Sequence, residues 1–237
     1  MFTKEDWRKQ SCQKILYNYQ EFIRLSHEGK IAYEQIDVPK NASLLTEKID
    51  IDNHIYLVVD GYIALILNDG SQNSKIYSIQ GKGTFLNYFT LLDQSNNHFN
   101  FKTLSGCSLY KYSKADMEYF LSMFPENFGF QFFIMKNQTT HVYFKSLMAS
   151  SPASEKLKTT FSNMALLHGV LSDDGTVILP QAIKTSHLLS YSNLSKSCFY
   201  KDLQYLKTTN QIEKKEKCWI IHDQALYTMI QNGQTSF

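Results

Sequence analysis

The densest run of side chains able to do chemistry is TSHLLSYSNLSKSCFYKDLQYLKTTNQIEKKEKCWII, residues 185–221 of a 237-residue chain. Between residues 183 and 217, seven lysines (184, 196, 201, 207, 214, 215 and 217) face three acids (Asp202, Glu213 and Glu216), an excess of four. Residues 1–149 hold 15 basic and 15 acidic side chains, so the net charge of +2 is concentrated late in the chain. Such a segment suits an anionic polymer, whose phosphates are bound by charge, although a lysine-rich solvated face has the same composition. Lys184, Thr185, Ser186, Ser195, Lys196, Ser197, Lys201, Gln204, Lys214, Lys215 and Lys217 supply donors of the kind that meet phosphates and base edges. The only arginines are Arg8 and Arg24, so any later anion must be held without a planar guanidinium fork.

Other chemistries are poorly served. Histidines 27, 54, 98, 141, 168, 187 and 222 are scattered, and no G-x-S-x-G, H-E-x-x-H or P-loop pattern occurs. Gly81-Lys82-Gly83 is too short for a phosphate cradle, and Asp173-Asp174 reads as turn chemistry. Cys12, Cys107, Cys198 and Cys218 are far apart with no metal-ligand spacing. The expectation is therefore no enzyme, no metal and no cofactor. A charged start without an apolar segment, and no apolar run near 20 residues, lead us to expect a cytoplasmic protein with no membrane partner.

The elements that must position the basic segment can be read from periodicity. Residues 3–28 have helical spacing, with Trp7, Ile15, Phe22 and Leu25 apolar. From about 31 to 112, short β-rich runs broken at Asp60-Gly61 and Asp69-Gly70 predict an antiparallel sandwich or roll. Ser113 offers an N-cap to a helix at 115–123, and Pro125 opens a longer one at 126–149. Apolar residues cover more than one face of that longer helix. One side would pack on its own domain and the other, with Phe128, Phe132, Met135, Thr139 and Val142, on a second copy; a central core helix would look similar. The stretch 150–154 suits a hinge, giving expected domains at 1–120, 121–150 and 151–237.

Within the basic segment, a helix with Leu188 and Leu189 precedes Asn193, a residue able to take the left-handed corner of a helix–turn–helix. Ser195 caps a second helix with Phe199, Leu203 and Leu206 on one face and Ser197, Lys201, Gln204 and Thr208 on the other. Residues 211–221 read as two short strands about a charged turn, a wing carrying Lys214, Lys215 and Lys217.

This order of elements resembles the Crp/Fnr family of bacterial transcription regulators over nearly the whole chain. SKSCFYKDLQYLKTTNQI (195–212) resembles the family's S-R-x-T-V-x-R-x-L recognition-helix pattern. The resemblance implies base reading by Lys196, Ser197 and Lys201 and a phosphate contact at Cys198, with lysines standing for two arginines. It implies an α+β chain with an N-terminal antiparallel β-roll (cupin-like, cyclic-nucleotide-binding-domain-like), a long dimerisation helix and a C-terminal winged helix–turn–helix. The expected partners are double-stranded DNA with a palindromic operator, a second copy in a homodimer, and RNA polymerase. HIYLVVDGYIALIL (54–67) and GKGTFLNYFTLLD (81–93) resemble the family's roll signature and phosphate-binding turn. Yet the glutamate position holds Tyr88 and the arginine position falls near His98, so cyclic AMP is not expected as effector. These losses, with the SDDGTVIL run at 172–179, resemble the PrfA-type branch, regulators of virulence genes, some of which respond to a thiol peptide. Cys198 is then either a redox-sensitive site or an inert small residue. The alternative function is a small-molecule sensor whose basic segment meets a protein partner instead of DNA.

Overall fold

A computed structural model describes residues 17–43, 53–67, 75–88 and 99–232. The helical reading at 3–16, Cys12, Asp69-Gly70 and His98 lie outside those residues. Helix α1 (Tyr19–His27) is capped by Asn18, whose side chain accepts from Glu21 N, and it buries Phe22. Seven strands follow: β1 (Glu34–Val38), β2 (His54–Asp60), β3 (Ile63–Leu67), β4 (Lys75–Gln80), β5 (Phe85–Leu86), β6 (Phe99–Thr103) and β7 (Cys107–Ser113). They form two antiparallel sheets, ordered β1-β7-β2-β5 and β4-β3-β6.

Asp60-Gly61 is a turn, but β2 and β3 do not pair with each other. Gly61, at φ 94°, carries the chain from one sheet to the other, and a Cβ there would collide with the Gly106 carbonyl and Cys107. The junction therefore needs glycine for close approach of backbone as well as for its dihedral.

Helix α2 (Lys114–Met123) starts at Ser113, whose hydroxyl accepts from Asp116 N at 3.0 Å. After a 3₁₀ turn at Pro125–Asn127 comes α3 (Phe128–Ser150). Its buried stripe (Phe130, Ile134, His141, Phe144 and Met148) packs on the chain's own body, while Phe128, Phe132, Met135, Thr139 and Val142 are exposed. Those five recur at intervals of four and three, the spacing of a coiled-coil seam.

The remainder comprises α4 (Lys156–His168), β8 (Val170–Leu171), β9 (Val177–Ile178), α5 (Thr185–Ser192), α6 (Lys196–Thr208), β10 (Ile212–Lys215), β11 (Cys218–Ile221) and α7 (Gln224–Gln231). Its sheet runs β10-β11-β9-β8. One apolar cluster joins this half to the roll, combining Ile76, Ile79 and Leu104 with Phe161, Leu188, Phe199 and Trp219. Lys145 of α3 ties the junction, donating to the Ile76 carbonyl at 2.9 Å and the Tyr191 carbonyl at 2.8 Å, with the Tyr191 ring 4.2 Å away. Burial pushes that lysine's pKa down to about 8. Ser190 completes the tie by accepting from Ile76 N at 3.0 Å. Among the described residues no helix is long and apolar enough to cross a membrane.

Candidate nucleic-acid interface

Helix α6 is built by local rules that agree with one another. Ser195 sits at φ −64°, ψ 151° and its hydroxyl accepts from Cys198 N at 3.3 Å, stopping the helix from fraying backwards. Just before it, Asn193 is left-handed (φ 57°, ψ 24°) and closes α5, making the tight corner between the two helices. Phe199, Leu203 and Leu206 are buried, each burial contributing about 1.5–3 kcal/mol, and they anchor α6 against α4 and the sheet. The opposite face is free: Lys196, Ser197, Cys198, Lys201 and Gln204 are all exposed. A helix anchored on one side, with lysines and short polar groups on the other, can be set into the major groove.

The wing is the β10–β11 hairpin, in register Ile212↔Ile221 to Lys215↔Cys218. Its two-residue turn, Glu216-Lys217, has both residues at positive φ (47° and 75°). That geometry usually takes Asn-Gly, so a Glu-Lys turn is strained and held by the flanking strands. Strand alternation then divides the lysines. Lys214 lies over the Trp219 ring at 5.1 Å and donates to Thr185 Oγ1 at 3.2 Å, joining the wing to the start of α5. Lys215 points to the other face and pairs with Glu213 at 2.8 Å, so the structure separates it from Lys184, Thr185, Ser186, Lys214 and Lys217.

Residues 35–123 match the cyclic nucleotide-binding domain family. No curated protein matches the chain. Among solved structures, a cyclic nucleotide-binding domain containing protein from Listeria monocytogenes EGD-e has a TM-score of 0.71 at 19% identity, over 87% of this chain and 96% of that one. FixK2 from Bradyrhizobium japonicum has a TM-score of 0.66 at 13% identity, covering 84% and 96%. TTHA1359, a CRP/FNR family transcriptional regulator from Thermus thermophilus, has a TM-score of 0.62 at 11% identity, covering 84% and 98%. The chain has the fold of the Crp/Fnr regulators.

Among the described residues little space is left inside the roll. Phe85, Leu86, Asn87 and Tyr88 are all buried, and Asn87, left-handed at φ 64°, donates to the His54 carbonyl at 2.9 Å. Burial among aromatic rings raises the pKa of Tyr88, so its phenol stays neutral. The space left among Leu65, Gln80, Phe85, Phe101 and Gln138 is about 10 Å³, room for about one water. A larger cavity of about 190 Å³ lies elsewhere, between Gly81–Thr84, α3 and α4. His141 and His168, far apart in sequence, meet there, and burial lowers both pKa values. Among the described residues no cluster of three His, Cys, Asp or Glu side chains could hold a metal.

Sequence reasoning missed two parts of this region. Tyr200 of α6 stands beside Lys184, Lys214 and Lys217, and Lys40 of the roll lines the same cleft. Nothing local marks Lys40, since the residues that share its cleft come from segments more than 60 residues away.

Proposed function

We propose that this chain is a sequence-specific DNA-binding transcription regulator of the Crp/Fnr type, acting as a homodimer on a palindromic site. The observation that carries the reading is α6: capped, anchored by three apolar residues, and presenting Lys196, Ser197, Lys201 and Gln204 to solvent. Lys184, Thr185, Ser186, Lys214 and Lys217 would contact phosphates beside it, with Lys215 and Cys198 at the margin. The exposed seam of Phe128, Phe132, Met135, Thr139 and Val142 would join two α3 helices, within domains at 1–120, 121–150 and 151–237. Two recognition helices would then enter successive major grooves about 34 Å apart. RNA polymerase would be the protein partner, and the cytoplasm the site of action.

Control would not come from cyclic AMP. A purine nucleotide does not fit a space of about 10 Å³, and no carboxylate stands at 85–88 to hold a ribose. A small or thiol effector of the PrfA type would enter the His141–His168 cavity instead.

Selection of duplexes from a random pool by the purified protein tests the function. The expected result is a two-fold symmetric site with half-sites about one helical turn apart; enrichment of nothing above background overturns it. A companion thermal melt with excess cyclic AMP should show no shift. A nucleotide at 100 times its Kd would add about 2.7 kcal/mol.

A further inference from the structure

Resting on the DNA-binding reading above, we propose that Lys145 is a positioning residue: it braces the end of α5 against the edge of the roll and thereby sets the half-site spacing that the dimer accepts.

The brace starts at a sheet edge. Among the described residues β4 pairs with β3 on one side and with no strand on the other. At Ile76 side chains close that edge instead: Ser190 Oγ of α5 accepts from Ile76 N at 3.0 Å, and Lys145 Nζ of α3 donates to the Ile76 carbonyl at 2.9 Å. Leaving either backbone group unpaired at a buried junction is costly, so both bonds resist breaking. The same ammonium donates to the Tyr191 carbonyl at 2.8 Å, on the last turn of α5, and lies 4.2 Å from the centre of the Tyr191 ring. One cation on α3 thus holds β4 and α5 together. Asn163 of α4 backs the arrangement, donating to the Tyr191 hydroxyl at 3.5 Å and to the Phe144 carbonyl of α3 at 3.2 Å.

From Tyr191 to the reading helix the path is short. Ser192 Oγ donates to the Leu189 carbonyl at 2.9 Å and accepts from Leu194 N at 3.3 Å, left-handed Asn193 makes the corner, and Ser195 caps α6. A corner bonded in this way carries any shift of Tyr191 into α6.

Packing alone does not call for lysine here. Its two acceptors, Ile76 and Tyr191, belong to an apolar cluster with Ile79 and Leu188, and among the described residues no carboxylate pairs with Lys145. Burial, with Lys75 adding a like charge, holds the pKa of Lys145 down at about 8. Methionine has similar length without that penalty, and replacing a buried charge by apolar bulk is often neutral or stabilising. What the ammonium adds is direction. Apolar contacts tolerate sliding, whereas bonds to carbonyls on two different elements fix one relative position.

Spacing follows from symmetry. With α3 shared in the dimer, the separation of the two α6 helices depends on how firmly each is fixed to its own α3. Removing one base pair between half-sites brings them about 3.4 Å closer and turns them by about 35°. A rigid brace refuses that change and a loose junction absorbs it.

The test compares binding to the selected operator with binding to versions one base pair longer and one shorter between half-sites. The parent protein should bind the altered spacings about 10-fold or more weaker, and Lys145→Met should narrow the gap to about threefold or less. Base preference within each half-site and the salt slope should stay the same, because no base or phosphate contact is lost. The melting temperature of Lys145→Met should not fall; a fall would make Lys145 a packing residue. Ser190→Ala, which removes the other bond to Ile76 and keeps the charge, should relax spacing in the same direction, and it decides the matter if the methionine variant does not fold. Ile79→Val, which loosens the same cluster and leaves the brace, should keep the parent's preference; relaxation there would assign the effect to general loosening and overturn the brace. If the parent protein selects a symmetric site and the brace variants discriminate spacing as sharply as it does, the brace is wrong and the regulator reading stands. If the parent protein enriches no duplex, the regulator reading fails and the brace falls with it.

Discussion

Helix α6 and the interior of the roll sit in one fold, yet their side chains are left with different amounts of freedom. On α6 the apolar residues are spent on anchoring, and Lys196, Ser197, Lys201 and Gln204 remain uncommitted at the surface. In the roll, Phe85, Leu86, Asn87 and Tyr88 are all buried, Phe85 and Tyr88 in the cluster that includes Phe22 and the helices and Leu86 in the cluster between the sheets, and the Asn87 amide is already bonded to the His54 carbonyl. Strand pairing and burial hold the roll's shape, so its architecture does not depend on which ligand chemistry it carries. Fold and site are separable, and the proposed function places that separation in the roll.

The sharpest way to break that contrast is to loosen the face of the roll that packs on the helices. Phe22 touches Phe85, Tyr112, Phe120 and Phe130 edge-on, with ring centroids 5.0–5.4 Å apart, and has no exposed surface. Phe22→Ala should cost about 3–5 kcal/mol, read as a lower urea midpoint at unchanged m-value. A loss under about 1 kcal/mol would show these rings to be loosely packed.

On α6 the same kind of truncation should leave folding alone. Lys201 is exposed and makes no ion pair among the described residues, so Lys201→Ala should change stability by no more than about 0.5 kcal/mol. Operator affinity should fall 10- to 100-fold, about 1–3 kcal/mol, with relaxed preference at one base pair per half-site. Unchanged affinity with unchanged preference would remove Lys201 from the reading face.

The two regions also differ in how far they were legible. Helix α6 could be placed to the residue because its cap, its corner and its apolar spacing are local and agree with one another. The exposed stripe of α3 was legible for the same reason, since Phe128, Phe132, Met135, Thr139 and Val142 declare their shared face by spacing. Asp60-Gly61 misled in part: its turn chemistry is real, but β2 pairs with β5 and β7 and β3 with β4 and β6, most of them well separated in sequence, and no local signal selects them. The Glu216-Lys217 turn hid its two positive φ angles behind residues that rarely adopt them. Lys40, Lys145 and the two cavity histidines acquire their surroundings from several segments at once. Helix α7, capped by Asp223 accepting from Leu226 N at 3.0 Å, was readable from its cap and went unread.

The smallest predicted effect lies where the roll meets the other half. His141 is buried on α3 and faces His168, and desolvation pushes its pKa down to about 3. In the unfolded chain the same imidazole titrates near 6.5. As pH falls below about 6.5 the unfolded state takes up a proton that the folded state refuses, so unfolding becomes easier with acid until the folded pKa is reached. From pH 7 to 5.5 this one group should cost about 1 kcal/mol, in a window where ordinary carboxylates near 4 contribute little. His141→Gln should flatten that part of the stability curve while leaving Lys201-dependent binding intact. An equally steep loss in the variant would assign the acid sensitivity to His168, whose Nε2–H bond to the Ile79 carbonyl at 2.9 Å opposes its desolvation.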